Sequence, residues 1–100
     1  MQVVYQIQGR EFEWDSEKAE SNILKHGVTF QEGAEVFFDP FYRTGDASLD
    51  EDEEVRDFII GYSFSNRLLL AVYIERVQRT RMISVRPVTR TERKKYEDAS

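Results

Sequence analysis

Seven apolar residues stand in a row beyond the middle of the chain: Leu68-Leu69-Leu70-Ala71-Val72-Tyr73-Ile74. A membrane span needs roughly 18 such residues, so this run is far too short to be one. Turn signals bracket it, Ser65-Asn66 before and Val77-Gln78 after. A strand that is apolar at both odd and even positions is covered on both faces. The chain must therefore build a sheet with this strand at its centre and material on each side. Val55–Ser63 and Arg67–Glu75 read as two strands, and Thr80–Arg86 as a third. The short links between them imply hairpins and an antiparallel meander.

The remaining segments supply the covering layers. Val3, Tyr5 and Ile7 alternate with Val4, Gln6 and Gln8, and Gly9 ends the alternation. Residues 1–11 thus read as a short strand or an ordered arm. Asp15 is a good N-cap for a helix over Ser16–His26, with Ala19, Ile23 and His26 on one face and Gly27 as the left-handed stop. Trp14, just before the cap, reads as a core anchor rather than a base-stacking platform. Thr29-Phe30-Gln31-Glu32 is a capping box opening a second helix with Phe30, Ala34 and Phe37 on its apolar face. Pro40 bars its continuation and pushes Asp39 to extended geometry. Phe41 to Thr44 suits a further strand, and 45–54 is an acidic loop. Pro87 stops the last strand, and Thr89-Arg90-Thr91-Glu92 is a second capping box opening a short basic helix to about Glu97. The expectation is one α+β domain over residues 1–100. It has two N-terminal helices, an antiparallel sheet of about four strands and a short C-terminal helix.

Composition narrows the chemistry. With no cysteine, disulfides, thiolate zinc sites and a cysteine nucleophile are excluded. One histidine does not support a dedicated metal site. Asp50-Glu51-Asp52-Glu53-Glu54 lacks the alternating ligands and central glycine of an EF-hand. No signal-peptide pattern opens the chain, so the default location is cytoplasmic. The net charge of −5 hides an uneven distribution. Residues 55–96 carry ten bases against three acids, and such a patch attracts a polyanion that the average charge would repel. Scattered arginines on solvated faces are the alternative, since clustering matters more than count.

The polar groups that remain suit phosphodiester chemistry without a cofactor. A 2′-hydroxyl attacks its own phosphate, arginines stabilise the charge that develops, and one group moves a proton. His26 is the side chain that titrates nearest neutrality, and its other reading is a helix C-terminal residue facing the dipole. Glu75 closes the central strand. Arg81 and Arg86 lie on the last strand, on opposite faces, because strand side chains alternate. Lys18, Lys25, Arg76, Arg90, Arg93, Lys94 and Tyr96 are candidates to hold RNA. For Arg81 and Arg86 the competing reading is surface solubility or an ion pair with Glu75.

Phe12-Glu13-Trp14-Asp15, Lys18, Asn22, Lys25-His26-Gly27-Val28, Phe30, Ala34-Glu35-Val36-Phe37 and Asp39-Pro40 resemble the BrnT toxins. The likeness continues through Arg56, Gly61, Arg67-Leu68-Leu69, Val72-Tyr73, Glu75-Arg76, Arg81, Ile83-Ser84, Arg86, Thr89-Arg90, Glu92-Arg93 and Tyr96. It implies a RelE-like fold and a metal-independent endoribonuclease that arrests growth by cutting RNA. It also implies neutralisation by a BrnA-type antitoxin with a ribbon-helix-helix part, operator DNA being reached only through that antitoxin. Pro87 stands where a basic residue is common in the family, and so does Tyr62. The alternative is a catalytically weak antitoxin-docking or nucleic-acid-binding module of the same fold. Convergence of His26, Arg81 or Arg86, and Arg90 on one concave surface favours the enzyme.

Overall fold

A computed structural model describes residues 1–98 of the chain. Its elements run β1 (Gln2–Ile7), β2 (Arg10–Asp15), α1 (Ser16–His26), α2 (Phe30–Glu35), β3 (Arg43–Asp46), β4 (Asp57–Tyr62), β5 (Leu68–Glu75), β6 (Thr80–Pro87) and α3 (Arg90–Asp98). A 3₁₀ turn over Val36–Phe38 follows α2. The class is α+β, but the sheet is larger than the expected four strands and is not purely antiparallel. Six strands lie in the order β1-β2-β6-β5-β4-β3. All neighbours are antiparallel except β2 and β6, which pair in parallel at Phe12↔Thr80 and Glu13↔Arg81. No helix among the described residues is long and apolar enough to cross a membrane.

The N-terminal correction has a local cause. Residues 1–11 are not a lone strand or arm but the first part of a hairpin. Gln8 and Gly9 both take positive φ, 49° and 80°, which is the two-residue turn whose twist matches a hairpin. The strand it opens is Arg-Glu-Phe-Glu-Trp-Asp. Phe12 and Trp14 are buried on one side, whereas Glu11 and Glu13 reach arginines on the other. The acidic loop also begins later than expected, because β3 extends to Asp46 and pairs with Asp57.

β5 sits between β4 and β6, and its alternate residues serve two cores. Leu69, Ala71 and Tyr73 join Phe12, Trp14, Phe30, Phe37 and Met82 beneath α1 and α2. This is the helical face of the sheet. Leu68 and Leu70 join Ile60 on the under face, where Tyr62, Val88 and Tyr96 of α3 pack against them. Trp14 is 2% exposed and lies between Tyr5 and Phe30, with ring centroids 5.6 and 5.7 Å away. It is a core residue.

Asp15 caps α1 through the Lys18 N–H, and Gly27 ends it at φ 66°. The buried face of α1 differs from the expected one: Ile23 is exposed, and Asn22 is the buried residue. Because β2 pairs with only the first two residues of β6, the rest of that edge is open to the helix. The Asn22 amide fills it like a fragment of strand. Its Oδ1 accepts from the Val85 N–H at 3.1 Å, and its Nδ2 donates to the Val85 and Val28 carbonyls at 2.8 and 3.1 Å. Asn22→Ala strands these buried groups and is expected to cost about 3 kcal/mol. A thermal melt should then fall by about 15 °C in a domain of this size. A shift of only a degree or two would show that water replaces the amide.

Candidate functional site

The last strand carries a bulge that decides where its arginines point. Val72 pairs with Ser84 and Tyr73 with Met82, so Ile83 is extra. An extra residue breaks the alternation of side chains. Arg81 lies opposite Ile74 and Arg86 opposite Leu70, and both partners belong to the under-face set of β5. Arg81 and Arg86 therefore share one face, against the expectation that they lie on opposite ones. Ser84, opposite Val72, stands between them on that face.

Each of these arginines is held. Arg86 makes two parallel bonds to Glu92, 2.7 and 2.8 Å, in the fork geometry a guanidinium favours. Arg81 donates to Glu13 at 3.0 Å, and Arg76 donates to the same carboxylate oxygen at 3.2 Å. Glu13 is 7% exposed, so the two guanidinium groups compensate a buried charge. Arg76 also grips Glu54 of the acidic loop at 2.8 Å. Elsewhere Arg10 meets Glu75, Arg67 meets Glu32 and Arg79 meets Glu11. Much of the positive charge in the C-terminal half is thus matched by acids from β2, α2 and the loop.

Apart from Arg43 on β3, the uncommitted cations lie on the helices. Lys18, Lys25 and His26 are exposed on α1 and have no ion pair among the described residues; the same holds for Arg90, Lys94 and Lys95 on α3. Lys18, Ser21, Asn22, Lys25 and His26 line a groove of about 230 Å³ between α1 and β6, closed on the strand side by Ile83 and Ser84. Ser84 joins this groove to the arginine-bearing under face. The end of α1 is fixed there by Arg67, which donates to the Gly27 carbonyl at 3.2 Å.

The other expected site residues divide. Arg93 reaches the Tyr62 hydroxyl at 3.4 Å. The Tyr96 hydroxyl donates to Asp39 at 2.6 Å and is not turned outward to a ligand. Glu75 belongs to the helical face, where Arg10 and the Thr80 hydroxyl bond it at 3.1 and 2.9 Å. It lies on the opposite face of the sheet from Arg81 and Arg86.

Asp39 had no role assigned from sequence, yet it ties three elements together. It accepts from the Phe41 N–H, the Tyr62 N–H and Tyr96. Burial works to raise its pKa, but these three bonds outweigh it and hold the carboxyl below its ordinary range. Burial first, and then the Asp39 contact, push the Tyr96 hydroxyl up. Gly61 permits the approach, because a Cβ there would lie 2.8 Å from the Val36 carbonyl oxygen.

The second capping box forms in both directions. The Thr89 hydroxyl accepts from the Glu92 N–H at 3.2 Å, and the Glu92 carboxylate accepts from the Thr89 N–H at 2.9 Å. The first box is one-sided, since the Glu32 carboxylate turns to Ser63 and Ser65. Hydrogen bonds from Arg86, helped by the Thr89 N–H and opposed by burial, lower the Glu92 pKa from 4.5 to about 2. A carboxyl whose pKa falls on folding stabilises the fold above its unfolded value and ceases to do so as pH drops through its folded one. The Glu92 contribution should thus be intact above pH 4.5 and fade as pH falls to about 2. NMR titration of the Glu92 carboxyl checks this, and a midpoint near 4.5 would refute the clamp.

The comparisons agree with this architecture. The family described as the ribonuclease toxin BrnT of type II toxin–antitoxin systems matches residues 14–92. The 1.1 Å crystal structure of the Brucella abortus ribonuclease toxin BrnT is similar in fold, with a TM-score of 0.55 at 20% identity. That likeness covers 77% of this chain and 94% of the Brucella one. Among curated proteins, none is similar enough in sequence to count as a match. The class is thereby defined as a ribonuclease toxin of a type II toxin–antitoxin system. Within that class, the chain belongs to the BrnT family.

Proposed function

We propose that this chain is a metal-independent endoribonuclease acting at the seam between α1 and the under face of β6, and that a BrnA-type ribbon-helix-helix antitoxin neutralises it. The observation that carries the reading is the bulge, which turns Arg81 and Arg86 to one face of β6, the strand whose Ile83 and Ser84 line a groove with Lys18, Lys25 and His26. RNA phosphates meet the free lysines first. His26 moves the proton between the 2′-hydroxyl and the leaving oxygen. The guanidinium of Arg86, released from Glu92 to the phosphate, stabilises the pentacovalent centre. Arg90, Arg93 and Lys94 extend the binding track along α3. Glu75 and Tyr96 serve as structural residues in this reading, since both are engaged away from the seam.

Tightly controlled expression in bacteria, with growth and RNA integrity followed together, tests the proposal. Wild type should arrest growth and fragment RNA, and a ribbon-helix-helix partner should restore growth. His26→Gln keeps a hydrogen-bonding side chain but cannot shuttle a proton, so it should spare growth while RNA is still bound. Cleavage by the purified chain should persist in excess EDTA. The pairing of Arg81 and Arg86 with carboxylates favours a second reading, a docking module that cuts poorly. Intact RNA in cells that accumulate folded wild type would decide for that reading.

A further inference from the structure

The free edge of β1 is unguarded. Natural sheets protect an outer strand with lysine, proline, a bulge, short length or a covering element. β1 has six residues, no proline and an unbroken register against β2. No charged side chain precedes Arg10, in a chain where one residue in three is charged. The family match begins at Trp14, so this strand lies outside the matched region.

Hairpin stereochemistry identifies which backbone groups face outward. In a two-residue hairpin the flanking pair, here Ile7 and Arg10, closes the ladder, and bonded pairs recur at every second residue. The Ser16 N–H bond to the Met1 carbonyl, 2.8 Å, falls in that same phase. The N–H and C=O groups of Gln2, Val4 and Gln6 are therefore turned away from β2. Val3, Tyr5 and Ile7 pack on the helical-face core but remain half-exposed, and Val4 is 50% exposed on the under face.

We infer that β1 is a homodimerisation strand, pairing antiparallel with β1 of a second copy to join two sheets into one. Charge selects this occupant. About a two-fold axis normal to the sheet, a strand meets its own copy, so any charge lies opposite itself or a near neighbour. Like charges directly opposite one another destabilise a pair, and β1 has no charged side chain to set against its own copy. Centred on Val4, the pairing sets Val4 against Val4, Gln2 against Gln6, and Val3 against Tyr5 of the second copy. The helical faces stay on one side, and the half-exposed Val3 and Tyr5 become covered. One short strand per copy is a small interface, so association depends on concentration.

Sedimentation equilibrium of the purified full chain over a wide concentration range, together with hydrogen exchange, tests the inference. Mass should rise from 11.8 kDa toward twice that value. The Gln2, Val4 and Gln6 amides should gain at least about tenfold protection on association. Val4→Lys places two ammonium groups opposite each other and should remain monomeric with an unchanged melting curve. Val4→Pro removes one outward N–H without touching the β2 ladder and should weaken association. A wild type that stays at 11.8 kDa would overturn the inference, as would a dimer whose three amides still exchange at the monomer rate. Protection that appears only when an antitoxin is added would assign the edge to that partner instead.

Discussion

Replacing Arg86 by alanine is expected to slow RNA cleavage by about 10²–10³-fold, the usual loss when one donor to a developing oxyanion is removed. RNA affinity should fall much less. An interaction that grows in the transition state lowers the rate constant, whereas one present throughout weakens binding. Lysine should rescue poorly, because a point charge lacks the planar fork now engaged by Glu92. The pairing creates a confounding route, since Arg86→Ala also loosens the cap of α3. Glu92→Gln separates the two. If Arg86 acts only by steadying α3, Glu92→Gln cuts activity as far as Arg86→Ala does. If the guanidinium meets the phosphate, Glu92→Gln retains cleavage while Arg86→Ala does not. Single-turnover rates with a short RNA, beside direct binding and melting curves, read all three.

The largest effect on stability is expected at Trp14. Its ring is buried where β2, β1 and α2 meet, edge-on to Phe30 at an interplanar angle of 85°. Trp14→Ala removes the ring and leaves a cavity that these backbones cannot close, at a cost of about 3–5 kcal/mol. For about 100 residues this lowers the melting temperature by roughly 15–30 °C. Trp14→Phe should recover part of the loss. A folded Trp14→Ala with normal stability and weak RNA binding would reverse the assignment.

Local signals in the sequence account for much of the fold. Asp15, Gly27, Thr29 and the Thr89–Glu92 box act within a few residues of themselves, and the structure uses each where it stands. The run from Leu68 to Ile74 became a central strand because no other placement covers both of its faces. What was not legible depends on partners remote in the chain. Glu11 and Glu13 look like solvent-facing acids until Arg79, just before β6, and Arg81, within it, arrive, so β2 is not legible as a strand. Asn22 on a polar helix gives no sign that it completes a strand edge. For the site, residue types were readable but orientation was not. One extra residue, Ile83, reverses the relation between Arg81 and Arg86, and no side-chain pattern marks it.

The parallel junction between β2 and β6 has a consequence for synthesis. Glu13 and Arg81 meet across 68 positions of chain. As the polypeptide leaves the ribosome, the β1–β2 hairpin emerges first, yet it has no sheet to join until Thr80 and Arg81 appear. The β4–β5–β6 meander is local and can form as soon as it is exposed, whereas the distant pairing waits on loop closure. Asn22 likewise has no strand edge to complete before Val85 is made. The groove beside α1 therefore comes into being only after β6 has been made. A nascent chain built in this order carries Lys18, Lys25 and His26 long before it has the strand that closes the groove beside them.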